Sequence, residues 1–236
     1  MNYIVLDLEW NQSYRGKEYS IEEMPFEIIQ IGAVKLDEHK NITGRWERII
    51  RPVEYVKLHG KVSEMLGITE DELKVGDDFA GAAKEFLEWC GDDYEFITWG
   101  SSDLTEFQRN MKHFGVENNF PFPFMYYDLQ KLYSKVYSDG KTRRSLKMAI
   151  EELGFSEDAE YHSAINDAVY AARIFQQMDF DSVALTHTEY LKIEKLRYMP
   201  TLGHMRNIFQ EVLRQGIMQL MTGLQGRAGV IYVAGL

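Results

Sequence analysis

The chain has 236 residues, 45% of them hydrophobic, which is enough to bury a substantial core but includes no apolar run of the ~18 residues that span a membrane. The first ten residues, MNYIVLDLEW, predict neither a signal peptide nor a transit peptide, and the single cysteine excludes an intrachain disulfide. The formal net charge of −11 argues against a basic nucleic-acid coat, but not against an enzyme that meets phosphate through bound cations. We therefore expect a cytoplasmic protein with no membrane association.

The first part of the chain has the pattern of strands. Residues 2–9 are dominated by β-branched and aromatic residues, and similar runs at 28–36 and 42–50 follow at hairpin-like spacing. Helical signals begin after the third run, because Thr69 and Glu72 have the spacing of a capping box. This part predicts three consecutive strands followed by a helix.

The middle of the chain alternates between helices and strands. Asp78 is the predicted N-cap of a helix that buries Phe79 and Phe86. Further strands are predicted at 94–99 and 124–127, and further helices at 104–114, 129–137, 145–153 and 164–178. Three strands followed by this alternation predict an α/β fold, a mixed five-stranded sheet flanked by helices.

The composition changes after residue 178. Residues 179–236 contain several methionines and apolar residues at helical spacing, which predicts a mainly helical C-terminal extension after a domain of residues 1–178. Its apolar faces could cover the core, mediate assembly into a homo-oligomer or form a groove for a partner.

Asp7 and Glu9 lie two residues apart on the first predicted strand, so their side chains leave the same face. The preceding residues are apolar on both faces, which indicates a central strand that ends in two carboxylates. Two like charges in a partly buried place either raise a pKa or share a cation. The alternative is a pair of solvated acids at the end of a strand.

Further polar groups follow later elements. Asp103 comes after the fourth predicted strand, where it could cap a helix or serve a cation. His162 and Asp167 are five residues apart, too far around one helix to share a site. Because Ser163 is a good N-cap, His162 could stand on the preceding loop and converge with Asp167 in the first turn. Otherwise the histidine is a surface or core-filling residue.

Together these fragments contain four carboxylates and one imidazole. Oxygen ligands suit hard ions such as Mg²⁺ or Mn²⁺ rather than zinc. Two such ions can stabilise the attacking and leaving oxygens of a phosphoryl displacement, and an imidazole with an unperturbed pKa of about 6.5 suits a general base. The set therefore predicts metal-assisted hydrolysis of a phosphodiester.

The ordered motifs resemble those of the DEDDh 3′→5′ exonucleases, a family of the DnaQ-like, ribonuclease H-like superfamily. Asp7-Leu8-Glu9 is similar to the first motif of that family, and residues 99–103 are similar to the second. His162 and Asp167 resemble the third motif in its histidine branch. The Trp-Gly pair before Asp103 is typical of the ERI-1/KapD-like subgroup, many of whose members act on RNA 3′ ends. The resemblance covers roughly residues 1–178.

The resemblance implies a site that uses two Mg²⁺ or Mn²⁺ ions. Asp7 would bridge both ions, and Glu9 and Asp167 would complete the tighter site. Asp103 would hold the second ion through water, and His162 would activate the attacking water. The expected products are 5′-mononucleotides, released from a nucleic-acid 3′ end.

The resemblance also implies contacts with the substrate. Leu8 and Trp10 would lie against the terminal nucleotide. Met65 or Leu66 would wedge beside the last base, and Phe107 would pack against the sugar or base.

A dense basic cluster comprises Arg143, Arg144 and Lys147. Arg143 is therefore a candidate phosphate contact, and the alternative is that the cluster is a solvated helix start.

RNA or a short single strand is the preferred substrate, by resemblance to the subgroup. Two alternatives stay open at this point. One is trimming or proofreading of DNA 3′ ends by the same chemistry. The other is a non-catalytic nucleic-acid or protein-binding module on the same fold.

Overall fold

A five-stranded mixed sheet forms the centre of the fold. The computed structural model describes residues 1–117, 126–157, 159 and 161–178. Within these ranges the strands are β1 (Asn2–Gln12), β2 (Phe26–Leu36), β3 (Ile42–Ile49), β4 (Tyr94–Thr98) and β5 (Tyr126–Asp128). Their order is β3-β2-β1-β4-β5, with β1, β2 and β3 paired antiparallel and with β4 parallel to both β1 and β5. The predicted fold class and the central place of β1 are confirmed.

Helices cover both faces of this sheet. In the described part of the chain they are α1 (Gly60–Leu66), α2 (Glu70–Lys74), α3 (Phe79–Cys90), α4 (Ser102–His113), α5 (Leu129–Tyr137), α6 (Leu146–Glu152) and α7 (Ala164–Gln177). Ile4, Leu6 and Leu8 of β1 pack in one cluster with α3 and α4. Val5 packs in another with α5, α6 and α7. The alternation of side chains along β1 thus divides the core into two layers. No helix in the described ranges is long and apolar enough to cross a membrane.

Local capping signals explain where the helices start. The predicted capping box is confirmed, because the Thr69 hydroxyl accepts from the amide of Glu72 and the Glu72 carboxylate accepts from the amide of Thr69. The Asp78 carboxylate accepts from the amide of Gly81 at 2.8 Å, as expected for the N-cap of α3. Cys90 ends α3 within the core, where burial raises the pKa of its thiol.

Two short helical segments were not predicted from the sequence. One is the 3-10 turn Lys17–Tyr19, and the other is α1, which has His59 as its N-cap and buries only Val62. Segments this short contain too few turns for a hydrophobic period to be recognised. Residues 124 and 125 of the fifth predicted strand lie outside the described residues. So does the predicted extension 179–236, together with its role in self-association.

Helix α7 approaches the sheet closely at Gly32. A Cβ atom on Gly32 would overlap the backbone of Ala164 and Ile165 at the start of α7. The amide of Ala164 also donates to the Gln30 side chain at 3.0 Å, which ties the same helix end to β2. Because Gly32 pairs with Asp7 across the β1–β2 ladder, the start of α7 is brought over the acidic part of β1.

We expect the substitution Gly32→Ala to destabilise the fold. The added methyl group must push α7 away from β2, and overpacking of this kind costs about 1–3 kcal/mol. Chemical denaturation monitored by circular dichroism measures the change in the free energy of unfolding. Gly60→Ala is the matched control, since a Cβ there meets no atom within 4 Å and the stability should hold or rise. Equal stability of Gly32→Ala and the unmodified protein would contradict the steric argument.

Candidate active site

The first two carboxylates are presented by β1. Asp7 pairs with Gly32 and Glu9 pairs with Gln30 of β2. The register then shifts, so that Trp10 pairs with Ile28. A bulge at this point bends the strand and changes the direction of the side chains beyond it. Asp7 and Glu9 therefore share one face of β1 just before this register shift, and the strand continues to Gln12 rather than ending at the two carboxylates as predicted.

Asp103 reaches the same strand from α4. The N-cap of α4 is Ser101, without a side-chain capping bond, and Asp103 lies in the first turn, so the capping alternative weighed for Asp103 does not apply. Instead, Asp103 Oδ1 accepts from the amide of Leu8 at 3.2 Å. The pairing of β1 with β4 ends at Val5, and Asp103 therefore satisfies a donor that lies beyond the shared ladder. Because Leu8 lies between Asp7 and Glu9, this bond holds a third carboxylate beside the first two.

His162 and Asp167 arrive at the start of α7. Ser163 is the N-cap, Asp167 lies in the first helical turn, and His162 precedes the helix with a left-handed φ of 64°. A left-handed φ is uncommon for a residue other than glycine and costs about 1–2 kcal/mol. The amide of His162 donates to Asp167 Oδ2 at 3.2 Å. His162 and the first turn of α7, which contains Asp167, are thus joined by a hydrogen bond above the sheet.

One group of side chains has the geometry of a cation site. Glu9, His162 and Asp167 each offer a ligand atom, and the three atoms lie within 4.8 Å of one another. Asp167 Oδ1 is buried, and within the described residues it has no hydrogen-bond partner. An unsatisfied buried carboxylate oxygen is costly unless a cation or a proton compensates for it. The residues present therefore fit a hard divalent ion.

Proton affinity at the site is raised by burial and by mutual repulsion. Burial, followed by the charges of Asp103, Glu9 and Asp167, raises the pKa of Asp7 well above its ordinary value. Burial, followed by the charges of Asp167 and Asp103, raises the pKa of Glu9 to about 8. Burial also raises the pKa of Asp103 and that of Asp167. Four carboxylates thus converge at one place that favours added positive charge.

The residues predicted to contact the substrate differ in how far they are exposed to solvent. Leu8 is buried, Trp10 is half-buried with its ring 5.8 Å from that of Phe26, and Leu66 packs against the small core cluster under α1. Met65 on α1 is 46% exposed, as a wedge beside a base requires.

The predicted role of Phe107 is wrong. Its ring is fully buried and packs edge-to-face against Phe79 and Phe86, at 5.9 and 5.7 Å between centroids. The period of α4 directs this side chain toward the core below the sheet, so it is not available to a nucleotide.

The basic cluster is neutralised by neighbouring acids. Arg143 Nη1 donates to both oxygens of the buried Asp128, at 3.1 and 3.2 Å, and to Gln130. Arg144 pairs with Glu152 at 2.9 Å and Lys147 pairs with Glu151 at 3.9 Å. Arg143 and Arg144 therefore hold the segment before α6 in place, whereas Lys147 pairs within α6 itself. Arg143 and Lys147 are each about half exposed, so both side chains remain accessible to a phosphate.

Three residues that position the site were not singled out as functional from the sequence. Gly32 admits α7, Gln30 holds the amide of Ala164, and Asn11 is a fully buried amide on β1. Asn11 Nδ2 donates to the carbonyls of Tyr55 and Lys57, which fixes the segment that leads into α1. The available signal was a polar residue or a glycine within an otherwise apolar strand.

Comparisons with known proteins agree with this geometry. A family model described as exonuclease (RNase_T) matches residues 4–175. The probable 3′-5′ exonuclease KapD of Bacillus subtilis is 28% identical over 203 residues, covering 85% of this chain and 91% of that protein. The 3′-5′ exoribonuclease 1 of Homo sapiens is 25% identical over 182 residues, covering 74% of this chain and 52% of that protein. The chain thus spans about half the length of the human relative.

A solved structure has the same fold. The nuclease domain of 3′hExo, a DEDDh family member bound to rAMP, aligns with a TM-score of 0.65 and 24% identity, covering 82% of this chain and 96% of that chain. The match to the exonuclease family over residues 4–175, together with the converging carboxylates, assigns this chain to the hydrolytic nucleases. This chain belongs to the exonuclease family, and the predicted relationship to the DEDDh enzymes of the ERI-1/KapD type is confirmed.

The raised pKa values predict how the stability of the metal-free protein depends on pH. The folded state binds protons at the site more tightly than the unfolded chain does, so the free energy of unfolding falls as the pH rises. For Glu9 the window runs from its ordinary pKa of 4.5 to about 8. In EDTA, the melting temperature should therefore fall across this range, and Mn²⁺ added at pH 8 should restore it.

The variant Glu9→Gln should reduce this pH dependence by the part that Glu9 contributes, whereas Glu64→Gln on the exposed side of α1 should leave it unchanged. Differential scanning fluorimetry at fixed ionic strength measures both. A melting temperature that rises steadily with pH in EDTA would contradict the proposed repulsion.

Proposed function

We propose that this protein is a two-metal-ion 3′→5′ exonuclease that acts on RNA or short single strands and releases 5′-mononucleotides. The observation that carries the proposal is the convergence of Asp7, Glu9, Asp103 and Asp167 with His162 over the middle of β1. An enzyme with this excess of buried negative charge requires cations before an anionic phosphodiester can approach.

The donor set supports two Mg²⁺ or Mn²⁺ ions. Members of the family use divalent metal ions. Glu9 and Asp167, whose oxygens lie within 4.8 Å of one another, would hold one ion. Asp103, tied to the amide of Leu8, would hold the other, and Asp7 would contact both. Bound divalent ions supply Lewis acidity and neutralise charge on the phosphate oxygens.

His162 is proposed as the general base. Its imidazole is exposed, so it can reach a water molecule that solvent supplies. The ring nitrogen would take one proton of that water as its oxygen attacks phosphorus. The bond from phosphorus to the 3′ oxygen of the preceding nucleotide would break as the new bond forms. This oxygen would take a proton from solvent to leave as a hydroxyl, and the proton held by His162 would return to solvent. The hydrogen bond from the His162 amide to Asp167 holds the base beside the acidic group.

RNA is proposed as the physiological substrate class. Supporting observations are the similarity to an exoribonuclease of Homo sapiens and to a nuclease domain that is bound to rAMP. Trimming of DNA 3′ ends is not favoured, and membership of an exonuclease family disfavours a purely binding role. A cytoplasmic location and a homo-oligomer formed through 179–236 stay predictions.

The central prediction concerns Asp7→Ala. Removing this carboxylate should abolish turnover, while the melting temperature in EDTA holds or rises because repulsion at the site is relieved. The measurement is a time course with 5′-labelled RNA and DNA oligonucleotides in Mg²⁺, Mn²⁺ or EDTA. We expect a ladder that shortens from the 3′ end, needs a divalent metal and forms faster on RNA.

Asp71→Ala on the exposed surface of α2 is the matched control and should retain the ladder. If neither oligonucleotide is shortened by the unmodified protein in either metal, the proposed activity is wrong. A faster ladder on DNA would assign the opposite sugar preference.

A second prediction concerns His162→Asn. Asparagine tolerates a left-handed φ, so the fold and the stabilisation by metal should both be kept. Loss of a general base lowers kcat by about 100- to 10,000-fold. Single-turnover kinetics at saturating RNA measure the chemical step, and His39→Asn in the exposed β2–β3 turn serves as control. An unchanged single-turnover rate would exclude the assigned role of His162.

A further inference from the structure

A group of exposed rings and cations lies immediately beyond β1. Tyr14 and Tyr19 are 49% and 58% exposed, although aromatic side chains contribute most of their stabilisation when buried. The Arg15 guanidinium lies 5.7 and 5.6 Å from the centroids of these two rings. Lys57 Nζ lies 4.6 Å from the ring of Tyr14. We refer to Tyr14, Arg15, Tyr19 and Lys57 as the aromatic–basic patch.

The cations of this patch are not neutralised by acids. Within the described part of the chain, neither Arg15 nor Lys57 has a carboxylate within ion-pair distance. By contrast, Arg109 and Arg144 are ion-paired, as is Arg143. In a chain with a formal charge of −11, two cations held against ring faces and without an ion-pair partner among the described residues are available to an external anion. The acid nearest to Arg15 along the chain is Glu18, whose carboxylate lies against Gly16.

Buried polar groups hold the patch in place. The Tyr55 hydroxyl accepts from the amide of Ile21 at 2.8 Å and donates to the carbonyl of Met24 at 3.0 Å, which joins the two segments that carry the patch. Three consecutive amides, from residue 53 to residue 55, donate to the buried carboxylate of Glu27 at 2.6–3.2 Å. Binding to a surface fixed in this way loses little conformational entropy.

The patch also lies close to the acidic site. Asn11 Nδ2 donates to the carbonyl of Lys57 at 3.0 Å, and Asn11 is two residues beyond Glu9 on β1. At about 3.3 Å per residue this separation is about 7 Å along the strand. The segment that carries Lys57 therefore lies beside the part of β1 that follows the acidic site.

We propose that the aromatic–basic patch binds the single-stranded RNA segment just upstream of the 3′-terminal nucleotide. The rings of Tyr14 and Tyr19 stack on bases, and Arg15 and Lys57 contact the phosphates between them. Stacking of this kind tolerates any base, which suits an enzyme that removes successive nucleotides. The inference rests on the proposed function, because it takes the 3′ end to be seated at the acidic site.

Direct binding tests the proposal without turnover. The probe is a 12-nucleotide oligouridine with a 5′ fluorescein, and fluorescence anisotropy in Mg²⁺ measures its Kd for Asp7→Ala protein. Adding Tyr14→Ala and Tyr19→Ala should weaken binding by about 10-fold or more, given the usual loss per stacked base. Tyr14→Phe with Tyr19→Phe keeps the rings and should keep the affinity. Tyr137→Ala, an exposed tyrosine on α5, is the matched control and should also bind normally.

The salt dependence of binding separates the contribution of Arg15 and Lys57 from that of the tyrosine rings. Arg15→Gln with Lys57→Gln should reduce the slope of log Kd against log salt by about 1.4, which is two phosphate contacts on a single strand. Arg45→Gln on the exposed face of β3 should leave the slope unchanged. An unaltered slope and an unaltered Kd in the two double variants would overturn the proposal.

Hydrolysis distinguishes failure of the patch from failure of the exonuclease. In otherwise unmodified protein, Tyr14→Ala with Tyr19→Ala should lower the ratio of kcat/KM for the 12-mer to that for a dinucleotide. A normal ratio would overturn the patch and leave the exonuclease intact. If the unmodified protein shortens neither substrate but the patch variants still weaken binding, the exonuclease proposal fails and the RNA-binding surface is retained.

Discussion

The close approach of α7 to β2 at Gly32 is the constraint on which the site depends. Asp7 and Glu9 belong to β1, while His162 and Asp167 belong to the start of α7, about 155 residues later in the chain. They meet because the partner of Asp7 across the ladder has no side chain and the helix backbone fills that space. The Gln30 side chain then sets the height of the helix end above the sheet.

Bringing these acids together opposes folding of the metal-free protein. Burial raises the pKa values of all four carboxylates, and repulsion by neighbouring acids adds to it at Asp7, Glu9 and Asp103. The left-handed φ of His162 adds backbone strain at the same place. The two apolar layers on either side of the sheet offset this cost. Because the apolar core supplies the stability, the site can keep a cluster of carboxylates that binds cations but destabilises the metal-free fold.

An acidic enzyme that acts on an anionic polymer must overcome charge repulsion both at the reacting phosphate and along the rest of the bound strand. At the reacting phosphate, divalent ions offset the carboxylates. Away from it, cations held over exposed rings can provide attraction without neutralising the catalytic acids, and most other arginines described in the structure are used internally in ion pairs. This division explains how a net charge of −11 is compatible with a nucleic-acid substrate.

Local pattern determined the strands, most of the helices and the capping pair at Thr69 and Glu72, because these depend on neighbours within a few residues. The spacing of Asp7, Glu9, Asp103, His162 and Asp167 was also sufficient to predict a metal-dependent nuclease. Only the tertiary structure showed that Asp103 binds the amide of Leu8 instead of capping α4, that Phe107 faces the core, and that Arg143 is paired with Asp128. These outcomes depend on partners between 15 and 95 residues away, and packing between distant segments is not encoded in local sequence spacing.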